Sequence, residues 1–525
     1  MFVSNMPLLK EEYHKGIYVL GLLGLAVTVT MSAYIMSLAQ FLLMLNWFAE
    51  GNIKQKFKSF FQNKAALAFL GIYLLHILGL LYTDNFTFAF ADLRIKLPFL
   101  GLPIILATSP LLSRKTIQYI LLTHVAASFA SSIVSVSVFY TQHLTDMRAA
   151  SVFISHIRFS LNICLDIFIL LYFVFGENSF NRWIKAVFGL LIIWFVYFML
   201  FMESFTGIII VLIASTILLI VLIMRKTKTV YRIACISFLM IGALSLFLYF
   251  RGLLQEFHNI KPIDVATLAD TTAHGHRYVH DIHNKITDNG NYTWNYVCEE
   301  ELADAWNKRS LIKYDSVDRE HQRMKYTLVR YLTSKGLRKD RDGVNALSDQ
   351  EIIYIESGVA NVNYIKKGSF ENRIKNTIWE FENYKITHDP RGRSMVQRFE
   401  LWRNSILLIQ NHLLFGVGTG DPFDVFTAEL VNNHSLLKDA RLRSHNQYFT
   451  ITITFGILGL TVFLFCLIYP CIKLRKYSNV LFLSFFLIAM LSMLTEDTIE
   501  SQAGATFFAF FFCFFLFVDK NEISE

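Results

Sequence analysis

The chain has 525 residues, of which 54% are hydrophobic and 17% are charged, and its formal net charge at pH 7 is +8. Soluble domains average about 45–50% apolar and about 25% charged residues, so this composition excludes an ordinary soluble fold. The positive charge is weak evidence for nucleic acid, because basic loops of a membrane protein account for it, and we expect no nucleic-acid partner. Of the six cysteines, only Cys298 lies in a long polar segment, so no disulfide framework is encoded there.

Apolar runs of about 20 residues recur along the chain and predict helices that cross a membrane. Residues 17–48 are apolar over a span too long for one crossing, so we predict two helices, near 17–30 and 32–48. No small-residue cleavage site follows the first run, which favours a permanent anchor over a signal peptide. Further spans are predicted near 65–82, 95–109, 117–140, 158–176, 183–202, 205–224, 231–250, 447–470, 478–495 and 504–518. The sequence thus predicts an all-α polytopic membrane protein of about twelve transmembrane helices.

The distribution of lysine and arginine between loops predicts the orientation, because cytoplasmic loops are enriched in both. Loops 203–206 and 496–503 contain neither residue, whereas the alternate loops are basic. We therefore expect both termini in the cytoplasm and the long segment 251–444 in the periplasm of a Gram-negative cell. The basic loops carry Lys54, Lys56, Lys58, Lys64, Arg114, Lys115, Arg182, Lys185, Arg225, Lys226, Lys228, Arg232, Lys473, Arg475 and Lys476.

Three domains follow from this reading. Residues 1–250 form an N-terminal transmembrane bundle of about nine helices, and residues 447–525 form about three C-terminal transmembrane helices. Residues 251–446 form a large periplasmic loop domain. This loop contains tryptophans and helical-looking runs such as EELADAWNKRSL, so we expect it to fold, mostly as helices.

The stretch 441–459, RLRSHNQYFTITITFGILG, begins basic and turns apolar within a few residues. The pair His445-Asn446 is therefore predicted where an outer loop enters a membrane helix. Nine residues follow, then Gly456, two more residues and Gly459. Two upstream motifs accompany this spacing: RFELW, which contains Arg398, and GVGTGD, which contains Gly416, Gly418 and Gly420.

Together these motifs resemble the O-antigen ligase superfamily, and the stretch from YLTSKGLRKDRDGV to SMVQRFELW resembles ligase-like proteins of Bacteroidota. The resemblance implies a metal-independent, inverting glycosyltransferase of the inner membrane, with its active site facing the periplasm. Its expected partners are a glycan donor on undecaprenyl diphosphate, a glycolipid acceptor such as lipid A-core, and membrane lipid. It implies no cofactor.

His445 is the first catalytic candidate. A neutral imidazole can take the proton from an attacking acceptor hydroxyl, whereas the diphosphate is already a good leaving group. The alternative is a histidine that only caps the helix or forms a hydrogen bond at the interface. For Asn446 we expect an orienting or capping role.

Arginines are the second requirement, because a guanidinium can bind phosphate oxygens in a bidentate fork. Arg398 matches the family arginine that precedes the glycine motif, although an arginine at the membrane surface could also simply snorkel. Arg441 and Arg443 lie close to His445 in sequence and are further diphosphate-binding candidates. Their alternative role is to anchor the chain at the interface.

The sequence departs from the family at one position. Many ligases carry an arginine in S-R-x-G, but the corresponding stretch here is ESFTG, with Phe205 at the arginine position. The best substitute is Arg158 in SHIRFS, which lies on the same outer side, where another helix enters the membrane. A charged residue at such a position is costly and is therefore a functional candidate. His156 and Glu203 could belong to the same cluster.

Two other patterns have weaker functional readings. Gly416, Gly418 and Gly420 follow an amphipathic run and not a strand, so they predict a tight turn and not a dinucleotide site, with phosphate binding as a weaker alternative. The spacing of His274, His276, His280 and His283 would allow two or three metal ligands on one helical face. No cysteine joins them and the segment is hydrophilic, so we predict surface histidines and no metal.

Three other functions remain open. An O-antigen polymerase or a protein O-oligosaccharyltransferase would use the same donor with another acceptor. Oligosaccharyltransferases usually add a soluble region after the last span, which is not expected here. A lipid-linked glycan transporter would need charged residues inside several spans, and the predicted spans contain few.

Overall fold

The computed structural model describes residues 9–142, 150–177, 179–226, 228–258, 264–320, 322–365, 370–391, 394–439 and 442–519. In these ranges the chain is mostly helical, and the only named strands among the described residues are two of two residues each. The chain forms two compact units, one of residues 1–227 with 398–525 and one of residues 228–397. The predicted domain boundaries at residues 250 and 446 separate membrane from loop segments and stay predictions.

The helices of the two units, in chain order, have the following bounds. The first part of unit one contains α1 (Glu11–Thr28), α2 (Ala33–Ala49), α3 (Ile53–Gln62), α4 (Lys64–Leu78) with a 3-10 turn Gly79–Tyr82, α5 (Phe86–Ile95), α6 (Leu97–Thr108), α7 (Arg114–Thr141), α8 (His156–Phe175), α9 (Arg182–Phe201) and α10 (Phe205–Lys226). Unit two contains α11 (Thr229–His258), 3-10 turns Val265–Thr267 and Val362–Ile365, strands β1 (Thr287–Asp288) and β2 (Asn291–Tyr292), α12 (Glu299–Arg309), α13 (Met324–Ser334), α14 (Arg341–Asn345), α15 (Asp349–Glu356) and α16 (Phe370–Thr387). The chain then continues through α17 (Ser394–Asn411), which crosses the boundary between the units, α18 (Pro422–Asn432), α19 (Gln447–Lys473), a 3-10 turn Lys476–Ser478, α20 (Val480–Ser492) and α21 (Gln502–Phe517).

Seven helices in the described part of the chain are long and apolar enough to cross a membrane, and three further apolar helices are shorter. The seven are Lys64–Tyr82, Arg114–Thr141, His156–Phe175, Arg182–Phe201, Phe205–Arg225, Ile236–Gln255 and Gln447–Lys473. The shorter ones are Ala33–Ala49, Val480–Ser492 and Gln502–Phe517. A helix lies at every segment predicted to cross the membrane, but twelve crossings remain a prediction, as does the periplasmic side of the long loop.

Helix α21 forms the centre of unit one. All its residues from Gly504 to Phe517 are buried, which is the expected fate of a helix that is hydrophobic on every side. Phe485 of α20 lies with its ring centroid 5.8–6.0 Å from four phenylalanine rings of α21. Offset and edge-on packing of this kind fixes the two helices that flank the loop 493–501.

Helix α19 is interrupted at Gly456. This residue has φ 67° and ψ −172°, a conformation that is essentially restricted to glycine. An added Cβ would lie 2.1 Å from the carbonyl oxygen of Leu414. The break frees backbone groups inside an apolar helix, and such groups need another hydrogen-bond partner within the protein.

The segment 413–418 supplies that partner by running against the break. Gly416, with φ 70°, makes the close approach possible, because its Cβ would lie 2.4 Å from the backbone of Thr454. The predicted glycine turn is thus a backbone clamp on α19. Its hydrogen bonds run from Val417 N to Ile453 O (3.0 Å), from Gly418 N to Thr454 O (2.9 Å) and from Ile457 N to Leu413 O (2.8 Å).

The other half of the GVGTGD motif attaches to the end of α4. Thr419 donates its hydroxyl to the carbonyl of His76 at 2.6 Å. The carboxylate of Asp421 accepts hydrogen bonds of 2.8 Å from the backbone N–H groups of Asp84 and Asn85. One short motif therefore joins α4, the start of α5 and the broken α19.

Unit two has its own core around the buried side chains of Trp306 and Tyr331. Strands β1 and β2 pair antiparallel beside it, with Thr287 opposite Tyr292. Ser348 and Glu351 form a capping box at the start of α15, which satisfies the first amide groups of that helix. Five helices, α12 to α16, form in this loop region, while its identity as a periplasmic domain stays a prediction.

We predict that Gly456→Ala destabilises the protein by at least about 1–3 kcal/mol, because alanine is strained at this φ and ψ and its Cβ collides with the backbone at Leu414. The measurement is thermal unfolding of the protein in detergent. Gly101→Ala in α6 is the matched control, since no atom lies within 4 Å of its added Cβ. Equal unfolding temperatures for the two variants would contradict the clamp.

Candidate functional site

The start of α19 holds His445 in an unusual backbone conformation. Asn446 is the N-cap residue, and its side-chain oxygen accepts hydrogen bonds from the N–H groups of Tyr448 and Phe449. The preceding His445 has φ 49°, in the left-handed region where histidine and asparagine are tolerated better than most residues. Its side chain is 37% exposed. The cap thus fixes the backbone and leaves the imidazole accessible.

A short acidic loop between α20 and α21 packs against this helix start. We call residues Glu496 to Glu500 the acidic loop. Gln447 donates its backbone N–H to Met493 O at 2.9 Å, and its side-chain oxygen accepts from Ile499 N at 3.0 Å. Asn446 donates its side-chain amide to Leu494 O at 3.0 Å. These contacts fix the acidic loop beside His445.

Glu496 lies between two of the predicted site residues. One carboxylate oxygen is 2.5 Å from Nη2 of Arg398, and the other is 3.7 Å from Nδ1 of His445. Arg398 also donates from Nε to Thr495 O at 3.2 Å. The Arg398–Glu496 pair is largely buried, with both side chains 13% exposed. The structure therefore brings Arg398 and His445 to one carboxylate.

Asp497 holds the backbone of His445 and reaches a third predicted residue. Its carboxylate accepts hydrogen bonds from His445 N at 3.0 Å and from the hydroxyl of Thr450 at 2.6 Å. Its backbone carbonyl lies 3.5 Å from Nη2 of Arg158. Arg158 also donates to the hydroxyl of Ser155 at 3.2 Å. Arg158 is thus next to the same loop.

Glu500 anchors a buried charge cluster that includes Arg443. It accepts contacts from Nη1 of Arg443 at 2.5 Å and from Nζ of Lys96 at 2.9 Å. Lys96 also pairs with Asp92 at 2.5 Å, and its side chain is 1% exposed. Two cations and two carboxylates balance here, which is the condition for charges to remain buried. A cavity beside the cluster is lined by Lys96, Arg443 and Glu500, together with Thr450.

Charge and burial act in opposite directions on these carboxylates. Burial alone would raise the pKa of Glu496, but the nearby His445 and the charge of Arg398 hold this pKa below its ordinary value of 4.5. Glu500 behaves similarly: burial opposes ionisation, and Lys96 and Arg443 hold the pKa well below the usual range. Such groups stabilise the folded site above their unfolded pKa values and lose this contribution as the pH falls through the folded values. Burial has the larger effect at Asp497 and raises its pKa.

The comparison with known protein families fits this arrangement. The family model described as O-antigen ligase matches residues 348–464. Residues 348–464 therefore form an O-antigen ligase domain, which supports membership of the O-antigen ligase superfamily. The matched range contains Arg398, the GVGTGD motif and His445, which carry the resemblance predicted from the sequence. The predicted resemblance to the O-antigen ligase superfamily is confirmed. No curated protein matches the chain.

The remaining predicted residues lie in three different places. Within the O-antigen ligase domain, the five motif glycines and Asn446 shape the backbone around α19, and Arg441 lies outside the described residues. The four histidines in unit two do not converge: His274 pairs with Asp342, and His276 pairs with Glu301. In the described part of the chain, no three His, Cys, Asp or Glu side chains form a group that could hold a metal.

Sequence reasoning missed the acidic residues of this candidate site, which lie outside the matched domain. From the sequence, loop 496–503 indicates only the orientation of the chain, because it lacks lysine and arginine. A second signal was present: Glu496, Asp497 and Glu500 stand in one short segment between two strongly apolar helices. Carboxylates in such a position need cationic partners, and so predict that arginines meet them there.

We predict that Glu496→Gln lowers the thermal unfolding temperature at pH 7, with a loss of about 3–5 kcal/mol, because it leaves the buried Arg398 without its counter-charge. The exposed Asp439 gives a matched control, Asp439→Asn, which should change stability little. The two variants are compared by thermal unfolding in the same detergent. An unfolding temperature of Glu496→Gln equal to that of the wild type would show that Glu496 does not stabilise the site.

Proposed function

We propose that this protein is a metal-independent, inverting glycosyltransferase of the bacterial inner membrane. It transfers a glycan from undecaprenyl diphosphate to a hydroxyl group of lipid A-core or a similar glycolipid on the periplasmic face. Its membership of the O-antigen ligase superfamily supports lipid-linked glycan chemistry in general. The acceptor and the side of the membrane are part of the proposal.

The observation that carries this proposal is the shared contact of Arg398 and His445 with Glu496. The reaction needs a base for the acceptor and positive charge for the diphosphate, and both lie at one carboxylate. His445 presents Nδ1 to Glu496. With the proton on Nδ1, the lone pair on Nε2 remains available to a substrate, which is the arrangement used by other His–carboxylate pairs.

In the proposed reaction, Nε2 of His445 takes the proton of the acceptor hydroxyl as its oxygen attacks the anomeric carbon. The bond from that carbon to the diphosphate oxygen breaks, and undecaprenyl diphosphate leaves with the electron pair. Attack from the face opposite the leaving group inverts the anomeric carbon. Arg398, with Arg158 or Arg443, stabilises the negative charge on the departing diphosphate.

The arginines in this mechanism are paired with carboxylates, and this affects how they would bind the donor. A guanidinium has five N–H donors in a planar fork, so one carboxylate does not exhaust its capacity. Glu496 and Glu500 fix Arg398 and Arg443 in position before substrate arrives. Such preorganisation lowers the ordering cost of binding a diphosphate.

Arg158 is proposed to replace the arginine absent at Phe205. Helices α8 and α10 touch at Ser160 and Gly207. A Cβ added to Gly207 would lie 3.0 Å from the side chain of Ser160. Arg158 precedes Ser160 by two residues, and Phe205 precedes Gly207 by two. Because both helices start at the same end of the unit, this register puts the two positions at a similar level and supports the replacement.

We predict that His445→Asn abolishes most glycan transfer, with a loss of roughly 10²–10⁴-fold, because the general base is removed while asparagine tolerates the left-handed backbone. A deletion strain complemented with this variant should accumulate carrier-linked polymer and lack polymer on lipid A-core. His434→Asn is the matched control, since His434 is exposed and has φ 51°. It should restore normal glycolipid.

Other glycolipid patterns in the same strains decide against parts of the proposal. Normal lipid A-core polymer from His445→Asn, at confirmed membrane levels, would exclude His445 as the base. Single repeat units on lipid A in the deletion strain would indicate a polymerase in place of a ligase. Unchanged lipopolysaccharide together with an under-glycosylated protein would indicate a protein acceptor.

We predict that Arg398→Lys recovers little activity compared with Arg398→Ala, because an ammonium keeps the charge but loses the bidentate fork. Both variants should also bind the carrier diphosphate more weakly, which can be measured with the purified protein. Arg403→Lys on the exposed side of α17 is the matched control and should be close to wild type. Full activity in Arg398→Lys would show that only charge is needed.

We predict that Arg158→Ala slows transfer and weakens carrier binding as Arg398→Ala does, because it removes a diphosphate contact. Adding Phe205→Arg to Arg158→Ala should restore part of the activity by returning the family arrangement. Both variants are assayed at equal expression. Transfer near wild type in Arg158→Ala would mean that this arginine only anchors α8.

A further inference from the structure

Helices α7 and α8 carry a row of buried polar side chains within two candidate membrane spans. On α7 the members recur at intervals of three or four residues, which puts them on one face of the helix. The α8 members recur every four residues. We call this set the polar seam: His124, Ser128, Ser131 and Ser135 of α7, and Arg158, Asn162 and Asp166 of α8.

Within the described part of the chain, every member of the polar seam has at least one buried polar atom without a hydrogen-bond partner. His124 and Asp166 have side chains that are 0% exposed. The three serines and Asn162 are also buried. The atoms concerned are Nε2 of His124, Oγ of Ser128, Ser131 and Ser135, Nε of Arg158, Oδ1 of Asn162 and both carboxylate oxygens of Asp166.

The serines of the seam differ from other hydroxyl residues in the membrane helices. A serine or threonine in an apolar helix usually donates its hydroxyl to a carbonyl three or four residues earlier. Ser132 does so to Phe129 O at 2.6 Å, and Thr216 does so to Leu212 O at 2.8 Å. Ser128, Ser131 and Ser135 do not, so their hydroxyls are available to something else on the seam.

The pair His124–Asp166 strengthens this argument. Nδ1 of His124 lies 2.8 Å from the carbonyl oxygen of Ala26, which only accepts, so Nδ1 carries a hydrogen. Nε2 faces Oδ1 of Asp166 at 3.5 Å. The separation is longer than a normal direct hydrogen bond, which leaves the polar atoms unsatisfied.

The seam forms a continuous row because α7 and α8 are consecutive spans and run in opposite directions. The hydroxyl of Ser128 interacts with the carboxylate of Asp166 but does not form a hydrogen bond of normal geometry with it. One turn further along both helices, towards the Arg158 end, stand Ser131 and Asn162. A further turn brings Ser135 to the level of Arg158. Polar atoms without hydrogen-bond partners therefore follow one another from Arg158, near the start of α8, to Asp166 in the middle of that helix.

We propose that the polar seam binds a row of water molecules that runs from Arg158 to the His124–Asp166 pair. Water fits because it can donate and accept, and the seam offers hydroxyls, an amide oxygen, a carboxylate and guanidinium hydrogens. Each buried polar atom left without a partner costs about as much free energy as a lost hydrogen bond, so a dry row of eight is strongly disfavoured.

The seam also meets the candidate functional site at one end. Arg158 belongs to both, since its Nη2 lies 3.5 Å from Asp497 O while its buried Nε, which has no hydrogen-bond partner among the described residues, lies beside Gly504 of α21. Asp166, at the other end, lies about 15 Å along α8 from the first residue of that helix, at about 1.5 Å per residue. The water row thus connects the acidic loop with the His124–Asp166 pair inside the membrane part.

X-ray radiolysis of the full-length protein in lipid nanodiscs tests this proposal. The pulse converts bound water into hydroxyl radicals, which oxidise neighbouring side chains, and mass spectrometry locates the products. Ser131→Cys puts a readily oxidised sulfur on the seam, and Ala130→Cys puts one at the same depth on the exposed side of α7. We expect oxidation at least about tenfold faster in Ser131→Cys, because oxidation of a thiol follows its access to the aqueous oxidant.

A second measurement needs no variant. Phe511 and Phe508 of α21 are both 0% exposed, but only Phe511 packs against the ring of His124 among the described contacts, at 4.8 Å. In the wild-type protein Phe511 should therefore be oxidised faster than Phe508. Equal oxidation of the two cysteine variants would overturn the proposal. Equal oxidation of the two phenylalanines would also overturn it, because the row would stop short of His124.

Discussion

The candidate site depends on the neutralisation of buried charge by the acidic loop. Arg398, Arg443 and Lys96 come from three separate segments of the chain, and all three contact Glu496 or Glu500. None of these charges could stay largely buried without its partner, because an unpaired ion in a low-dielectric interior is strongly disfavoured. The loop between α20 and α21 therefore decides where the basic side chains lie, although it is outside the matched O-antigen ligase domain.

A second constraint acts on the backbone. The break at Gly456 frees amide and carbonyl groups in α19, and the segment 413–418 satisfies them. The same segment continues into Thr419 and Asp421, which attach to the end of α4. The glycines are needed because backbones approach too closely for any Cβ. This clamp holds the first turns of α19, and with them Asn446 and His445, at a fixed distance from the rest of the unit.

Together the two constraints fix the charged side chains of the site in ion pairs and leave the imidazole of His445 partly exposed. His445 is held by its backbone through Asp497, and its ring remains partly exposed. Glu496 faces its Nδ1, and the proposed reaction uses Nε2 as the base. A general base needs this combination of a fixed position, a defined tautomer and access. The polar seam begins at Arg158, so the protein interior between α7 and α8 is polar along this row and not uniformly apolar.

The sequence by itself determined the helices and the family. A helix lies at every apolar run predicted to cross the membrane, because the length and composition of such a run are local properties of the sequence. The spacing of His445, Gly456 and Gly459 and the RFELW motif identified the O-antigen ligase superfamily, because these residues act through short segments of the chain. The positive-φ glycines at 416 and 418 were likewise readable as a turn.

Only the tertiary structure decided the partners of these residues. Glu496 is 98 residues from Arg398 in the chain, and Lys96 is 404 residues from Glu500, so no local pattern could pair them. The clamp between Gly416 and Gly456 also joins two segments that appear unrelated in sequence. Ion pairs and backbone contacts over such separations depend on how helices pack, and helix packing is set by the whole core at once. For this reason the motifs named the candidate residues, while the carboxylates that hold them became visible only in the folded protein.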